Sequence, residues 1–318
     1  MTLRVVDVSE PDSSLDSALL GVPVVAVGSL ARASEFWLQQ ATFTLTEDDA
    51  DDRRVITVGS IHAALSDLTA RADRWPMAAA TCDDVLRSVD PAAPALSGVV
   101  TESLAYSTLQ AGPAFARWLA DRGPAVMPDI ADPVQAHRDG DTLRIAFNRP
   151  QRHNAFSTDA RAALLEALAV AQLDSSVAEV VLTGNGPSFC SGGDLDEFGT
   201  FADPASAHLA RTRYSPALAL DAVTSRLGAA CRAEVHGQVL GSGLEMAAFC
   251  GRVEAAPDAV LGLPELSLGL IPGAGGTVSV TRRIGRWRTA YLVLSGVTLD
   301  ADTALAWGLV DALRQPAE

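Results

Sequence analysis

Two glutamates stand where this sequence could do chemistry. Glu245 lies in "VLGSGLEMAAF" (239–249), a glycine-rich turn running into an apolar helix with no other charge nearby. Glu265 lies in "LPELSLG", between Pro264 and Leu266. Apolar neighbours push a carboxyl toward its neutral form, and a helix N-terminus opposes that push at Glu245. Two carboxyls with different surroundings can divide the work of an acid and a base. Glu245 alone also fits a plainer role, because an acid in a first helical turn favours the macrodipole. The glycines of "SGGD" (191–194) and "GSG" (241–243) read on their own as tight turns needing positive φ.

Other chemistries find less support. The glycine spacing does not match a dinucleotide fingerprint, and 271–276 lacks the Lys-Ser/Thr of a phosphate-binding loop. Cys82, Cys190, Cys231 and Cys250 are scattered, as are His62, His137, His153, His208 and His236, so neither a zinc site nor a disulfide framework is indicated. The 318 residues carry 24 basic against 39 acidic side chains, a net charge of −15. That field disfavours nucleic acid, and an anionic ligand would need a local basic or dipolar pocket. No apolar run is long enough for a bilayer and the N-terminus lacks a signal-peptide layout, so a cytoplasmic protein without membrane partners is expected.

The elements that must position these residues follow an α/β rhythm beyond about residue 140. Strands are expected at 142–148, 177–184, 231–237 and 259–265, and helices at 158–172, after 276 and through "DADTALAWGLVDAL". Before it, 21–30 and 53–60 read as strands, and 61–75 and 96–123 as helices. The Pro-, Asp- and Gly-rich stretch 124–140 reads as a linker.

Four features occur in one order: "NRPQRHNAFS" (148–157), "SFCSGGDLDEF" (188–198), "HGQVLGSGLEMA" (236–247) and "LPELSLGLIPGAGG" (263–276). Together they resemble the crotonase superfamily, the enoyl-CoA hydratase/isomerase family, over residues 142–313. The resemblance implies an α/β fold, a crotonase-like ββα spiral core with an accessory helical region. It implies an acyl-CoA substrate, no metal or redox cofactor, and an oxyanion hole built from the N–H groups of Gly193 and Ser242. Glu245 and Glu265 match the two acids of family members that add water to a 2-enoyl-CoA, giving a 3-hydroxyacyl-CoA. Isomerisation, thioester hydrolysis and decarboxylation use the same hole, and a non-catalytic acyl-CoA-binding scaffold is a further alternative.

Around this centre, Gly192 and Gly241 shape the two corners, and Asp194 caps or braces the first. Arg152 would meet a CoA phosphate or remain a solvated loop charge. Ala155 would offer its carbonyl to the adenine, and His236 is expected to be structural. Ser242 stands where the family often has Gly, and Gly251 where it usually has Asp. The family implies a trimer or hexamer.

Segment 75–123 resembles the helices that follow the core in family members. The expected organisation is therefore an N-terminal region 1–123, holding a degenerate βα portion and a displaced helical domain, then a linker 124–140 and a catalytic core 141–318. An unrelated N-terminal fusion is the alternative.

Overall fold

The computed structural model describes residues 2–10, 21–126, 131–201 and 203–314. Parts of the expected linker (127–130) and the end of the expected core (315–318) lie outside them.

The N-terminal region begins with β1 (Arg4–Asp7), β2 (Val24–Val27), α1 (Glu35–Gln40), β3 (Phe43–Thr46) and β4 (Val55–Thr57). These strands form a parallel sheet in the order β1-β2-β3-β4. Four helices follow: α2 (Ile61–Arg74), α3 (Pro76–Ser88), α4 (Ala95–Gln110) and α5 (Pro113–Arg122). Ser60 caps α2, and Pro76 and Pro113 open α3 and α5, where a missing N–H costs nothing. The expected helix 96–123 is thus two helices, divided where Gly112 and Pro113 interrupt the ladder.

The second region contains β5 (Val134–Asp139), β6 (Thr142–Phe147), α6 (Thr158–Leu173), β7 (Glu179–Gly184), α7 (Pro204–Arg213), α8 (Pro216–Leu227), β8 (Cys231–Val235) and β9 (Gln238–Leu240). It continues with α9 (Ser242–Ala247), β10 (Arg252–Ala255), β11 (Val260–Gly262), α10 (Gly276–Ser295), α11 (Ala301–Trp307) and β12 (Ala312–Leu313). The main sheet runs β12-β10-β8-β7-β6-β5 and is parallel except for β5. A small second layer pairs β9 with β11 in parallel. Successive turns of chain therefore place one strand in the large sheet, one in the small layer, then a helix. That is a ββα spiral.

One expectation needs correction. Residues 134–139, read as the end of a linker, are strand β5, paired antiparallel to β6 through a turn at Gly140 (φ 60°). The Asp-Gly-Asp turn is a hairpin signal, and β5 is an exposed edge strand whose polar residues hide its period.

The long helix α10 ties the regions together. It packs on α2, α3, α4 and β3 from the N-terminal side and on α9 from the core. It bends at Gly285, where φ is 79° and ψ 160°. Phe43, Leu68, Trp75 and Phe115 share one buried apolar cluster with Ile145, Leu182, Met246 and Ile284. The helical layer and the spiral are thus joined through a common core.

Candidate active site

Three parallel segments build the centre. Residues 189–190 run beside β9, with Phe189 N–H donating to His236 O (2.8 Å), Cys190 N–H to Gln238 O (3.0 Å) and Leu240 N–H to Cys190 O (3.0 Å). On its other side β9 pairs with β11, Leu240 opposite Gly262, and Gly241 N–H donates to Gly262 O (3.0 Å). Register alone therefore brings three places together: the glycine corner at 192–193, the corner at 241–242, and Glu265 just beyond β11.

The corners converge closely. Gly241 has φ +48°, and a side chain there would meet Glu265 Oε1 at 2.5 Å and Gly192 Cα at 3.6 Å. No other residue fits. Phe156 bridges to the first corner by donating its N–H to Gly192 O (2.7 Å) and accepting from Asp194 N–H (2.9 Å). Those bonds straddle Gly193, so its own N–H lies on the opposite side of the bridge. Ser242 opens α9, and an N–H in that position has no intrahelical carbonyl to reach. Both residues line one cavity of about 300 Å³, together with Gly192, Gly241, Glu245 and Glu265.

Glu245 is buried in the first turn of α9. Its Oε2 accepts from the N–H groups of Ala274 and Gly276, each at 2.7 Å, and among the described residues no donor reaches Oε1. Burial pushes its carboxyl up to about 7, against the opposing pull of those amides and that of Gly273. Glu265 is buried too, its Oε2 without a partner among the described residues. Burial raises it well above the ordinary carboxylate range, and the neighbouring Glu245 and Glu102 carboxyls add to the rise. The better hydrogen-bonded Glu245 ionises first, and Glu265 keeps its proton.

The remaining expected residues are distributed as follows. Asp194 is a buried brace, ion-paired to Arg149 (2.8 Å) and Arg152 (3.2 Å) and capping Asp196 N–H. Arg152 also pairs with Asp196 at 2.6 Å, so its guanidinium is held by two carboxylates rather than extended toward a ligand. Arg149 is fully buried and donates to the Ala155 carbonyl, occupying one lone pair of the oxygen expected to meet adenine. His236 donates from Nε2 to Gly186 O (3.0 Å), a contact to backbone.

Three contributors escaped the sequence reading. Arg161 and Arg211 line the cavity, and neither forms an ion pair among the described residues. Arg211 is held by Ser103, Ser107 and Gln110 of α4 and stacks over Tyr106 at 4.6 Å. They supply the local basic wall that an acidic chain needs for an anionic ligand. The third is Glu102 of α4, buried and bonded to the turn that leads into α10. Its signal was a lone acid on the apolar face formed by Val99, Tyr106 and Leu109.

A ββα spiral with two glycine corners and two buried acids around one cavity defines a crotonase-type protein. The model of the enoyl-CoA hydratase/isomerase family matches residues 138–317, and the chain belongs to that family. It is 38% identical over 168 residues to 2,3-dehydroadipyl-CoA hydratase of Escherichia coli K12, a match covering 53% of this chain and 64% of that protein. It is 32% identical over 170 residues to mevalonyl-coenzyme A hydratase of Aspergillus fumigatus, covering 53% and 61%. The match thus spans less than two thirds of either relative. Among solved structures it resembles enoyl-CoA hydratase from Thermoplasma volcanium, with a TM-score of 0.50, 34% identity, and coverage of 58% of this chain and 73% of that one. No helix among the described residues is long and apolar enough to cross a membrane.

Proposed function

We propose that this protein adds water to the double bond of a 2-enoyl-CoA, giving the 3-hydroxyacyl-CoA. The carrying observation is that Glu245 and Glu265 meet the Gly193 and Ser242 corners on one cavity wall. The thioester oxygen accepts from the two backbone N–H groups, which are fixed before charge develops. Glu245, as carboxylate, takes a proton from water while that oxygen bonds to the β-carbon. Electrons move onto the thioester oxygen as an enolate, and Glu265 gives its proton to the α-carbon. Atoms balance, and proton exchange between the two acids restores the starting state. The chemistry described needs no metal or redox group.

Both acids beside the hole favour hydration over isomerisation, which in this family usually needs one. Arg161 and Arg211 are suited to an anionic group of the CoA ester or of its acyl chain. The relatives are named for different acyl groups, so the acyl chain is to be found by assay. Residues 75–123 serve, in this reading, as the helical domain that closes the site, displaced ahead of the core. A cytoplasmic trimer or hexamer goes with it.

The test is loss of the enoyl-thioester absorbance with a panel including crotonyl-CoA, longer straight chains and 2,3-dehydroadipyl-CoA. Turnover to the 3-hydroxy product on at least one member is expected. No hydration across the panel, with CoA esters still bound, would favour the scaffold alternative. Deleting residues 1–123 should abolish activity, and a stable, active remainder would remove the displaced-domain reading.

A further inference from the structure

The turn from Gly273 into α10 is gripped from both sides. Ala274 and Gly276 donate their N–H groups to Glu245 Oε2, each at 2.7 Å. The alternate amides go the other way, Gly275 to Glu102 Oε1 (2.7 Å) and Thr277 to Glu102 Oε2 (2.9 Å). The Thr277 hydroxyl adds a third bond to Glu102 at 2.7 Å. Four consecutive amides thus alternate between two carboxylates, one from the spiral and one from a helix lying 173 residues earlier in the chain.

We propose that Glu102 is a positioning residue: by holding Gly275 and Thr277 it sets the peptide planes whose other amides, at Ala274 and Gly276, aim the Glu245 carboxylate at the cavity. Helix α10 opens on Gly275 (φ 99°), where an added Cβ would meet Phe249 at 2.5 Å, so no local side chain can cap it and its orphan N–H groups go to carboxylates from elsewhere in the chain. A single carboxylate would serve for capping, yet two are used. Placing a carboxyl beside Glu245 in a dry core is costly unless the fixed geometry is used. The left-handed Gly275 lets neighbouring N–H groups reach opposite carboxylates, so moving the turn as a whole disturbs the bonds to both Glu102 and Glu245.

Burial, then the Glu245 charge, pushes the Glu102 carboxyl up to about 8, opposed by its three hydrogen bonds. The other titratable groups around it are Glu265, Tyr106, Arg211 of α7 and Cys82 of α3.

The kinetic half of the test rests on the hydratase reading; the structural half does not. Glu102→Gln in the full chain offers one acceptor oxygen and turns an NH2 toward a second N–H donor. Amide hydrogen exchange across 274–277, including the amides that face Glu245, should accelerate by at least about tenfold. On the enoyl-CoA that the wild type hydrates best, kcat should fall by about tenfold or more with KM within about twofold. Glu102→Asp keeps the carboxyl but is a methylene short. It should speed exchange and lower kcat in the same direction, and it carries the test if the Gln variant does not fold. A folded variant with wild-type exchange at 274 and 276, or with lost Tm but unchanged kcat, overturns the proposal. If the wild type hydrates nothing, the hydratase reading fails, and exchange alone decides whether Glu102 holds the turn.

Discussion

The two regions each contain a strand running into a glycine corner and then a helix, and the corners could not be used more differently. After β2, Gly28 (φ 136°) turns the chain into a short helix at Leu30–Arg32. There the open amide is taken by the chain itself: Asp48, just past β3, accepts from Leu30 N–H (3.0 Å) and from the Ser29 hydroxyl (2.8 Å) at an exposed edge. After β9, Gly241 turns into α9, and the Ser242 amide is left to a cavity with two buried acids beside it. A helix start becomes a candidate site when its donors are unspent and water is held away. Backbone shape alone does not make one.

The largest expected break of this contrast is at Glu245. Glu245→Gln keeps an oxygen that can accept from Ala274 and Gly276 but removes the base, and kcat should fall by about 10³-fold, at the middle of the range for general base catalysis. Enoyl-thioester absorbance with the best panel substrate checks it, and full turnover would remove Glu245 from the mechanism. In the wild type, activity should fall as pH drops through about 7, where Glu245 takes up a proton. Ser242→Pro comes next. Proline is tolerated at a helix's first position but has no N–H, so one oxyanion donor disappears while α9 persists. A loss of about 10² in kcat with Tm little changed is expected; unchanged turnover would mean that this amide does not meet the substrate.

Glu265 sharpens the comparison through stability. Its folded-state affinity for protons exceeds that of the unfolded chain, so the folded protein loses stability as pH rises above the ordinary value of 4.5. Glu265→Gln should therefore abolish hydration and yet raise Tm by a few degrees at pH 8, because the folded state no longer has to hold a proton that the unfolded chain releases. That gain should shrink toward pH 4.5 in thermal scans. A gain that ignores pH would show that ionisation of Glu265 is not the burden.

The sequence carried the centre better than its surroundings. Gly192, Gly193, Gly241, Ser242, Glu245 and Glu265 were legible because each sits in a short local pattern, and parallel register then brings the patterns together. Arg152 was left open because a cation in a loop looks the same whether it awaits a phosphate or is paired to Asp194 and Asp196. Strand β3 went unread because it follows α1 with little turn chemistry. Glu102, Arg161 and Arg211 were missed for a different reason. Their meaning lies in contacts between α4, α6, α7 and the turn that leads into α10, which no local period announces.

The smallest effect is expected at the N-terminal corner and completes the comparison. Asp48→Ala strips the acceptor from Leu30 N–H and Ser29, but those groups are exposed and water replaces the carboxylate. Turnover should stay within about twofold of wild type, and Tm should fall by no more than about 2 °C. The pH dependence should have the opposite sign to that at Glu265. Hydrogen bonds from Leu30 and Ser29 hold the Asp48 carboxyl below its ordinary 3.8, so its contribution is present at neutral pH and disappears as the solution becomes acidic. A large loss of turnover in Asp48→Ala would mean that the first sheet reaches the chemistry through α10, and the distinction between a spent and an open corner would fail.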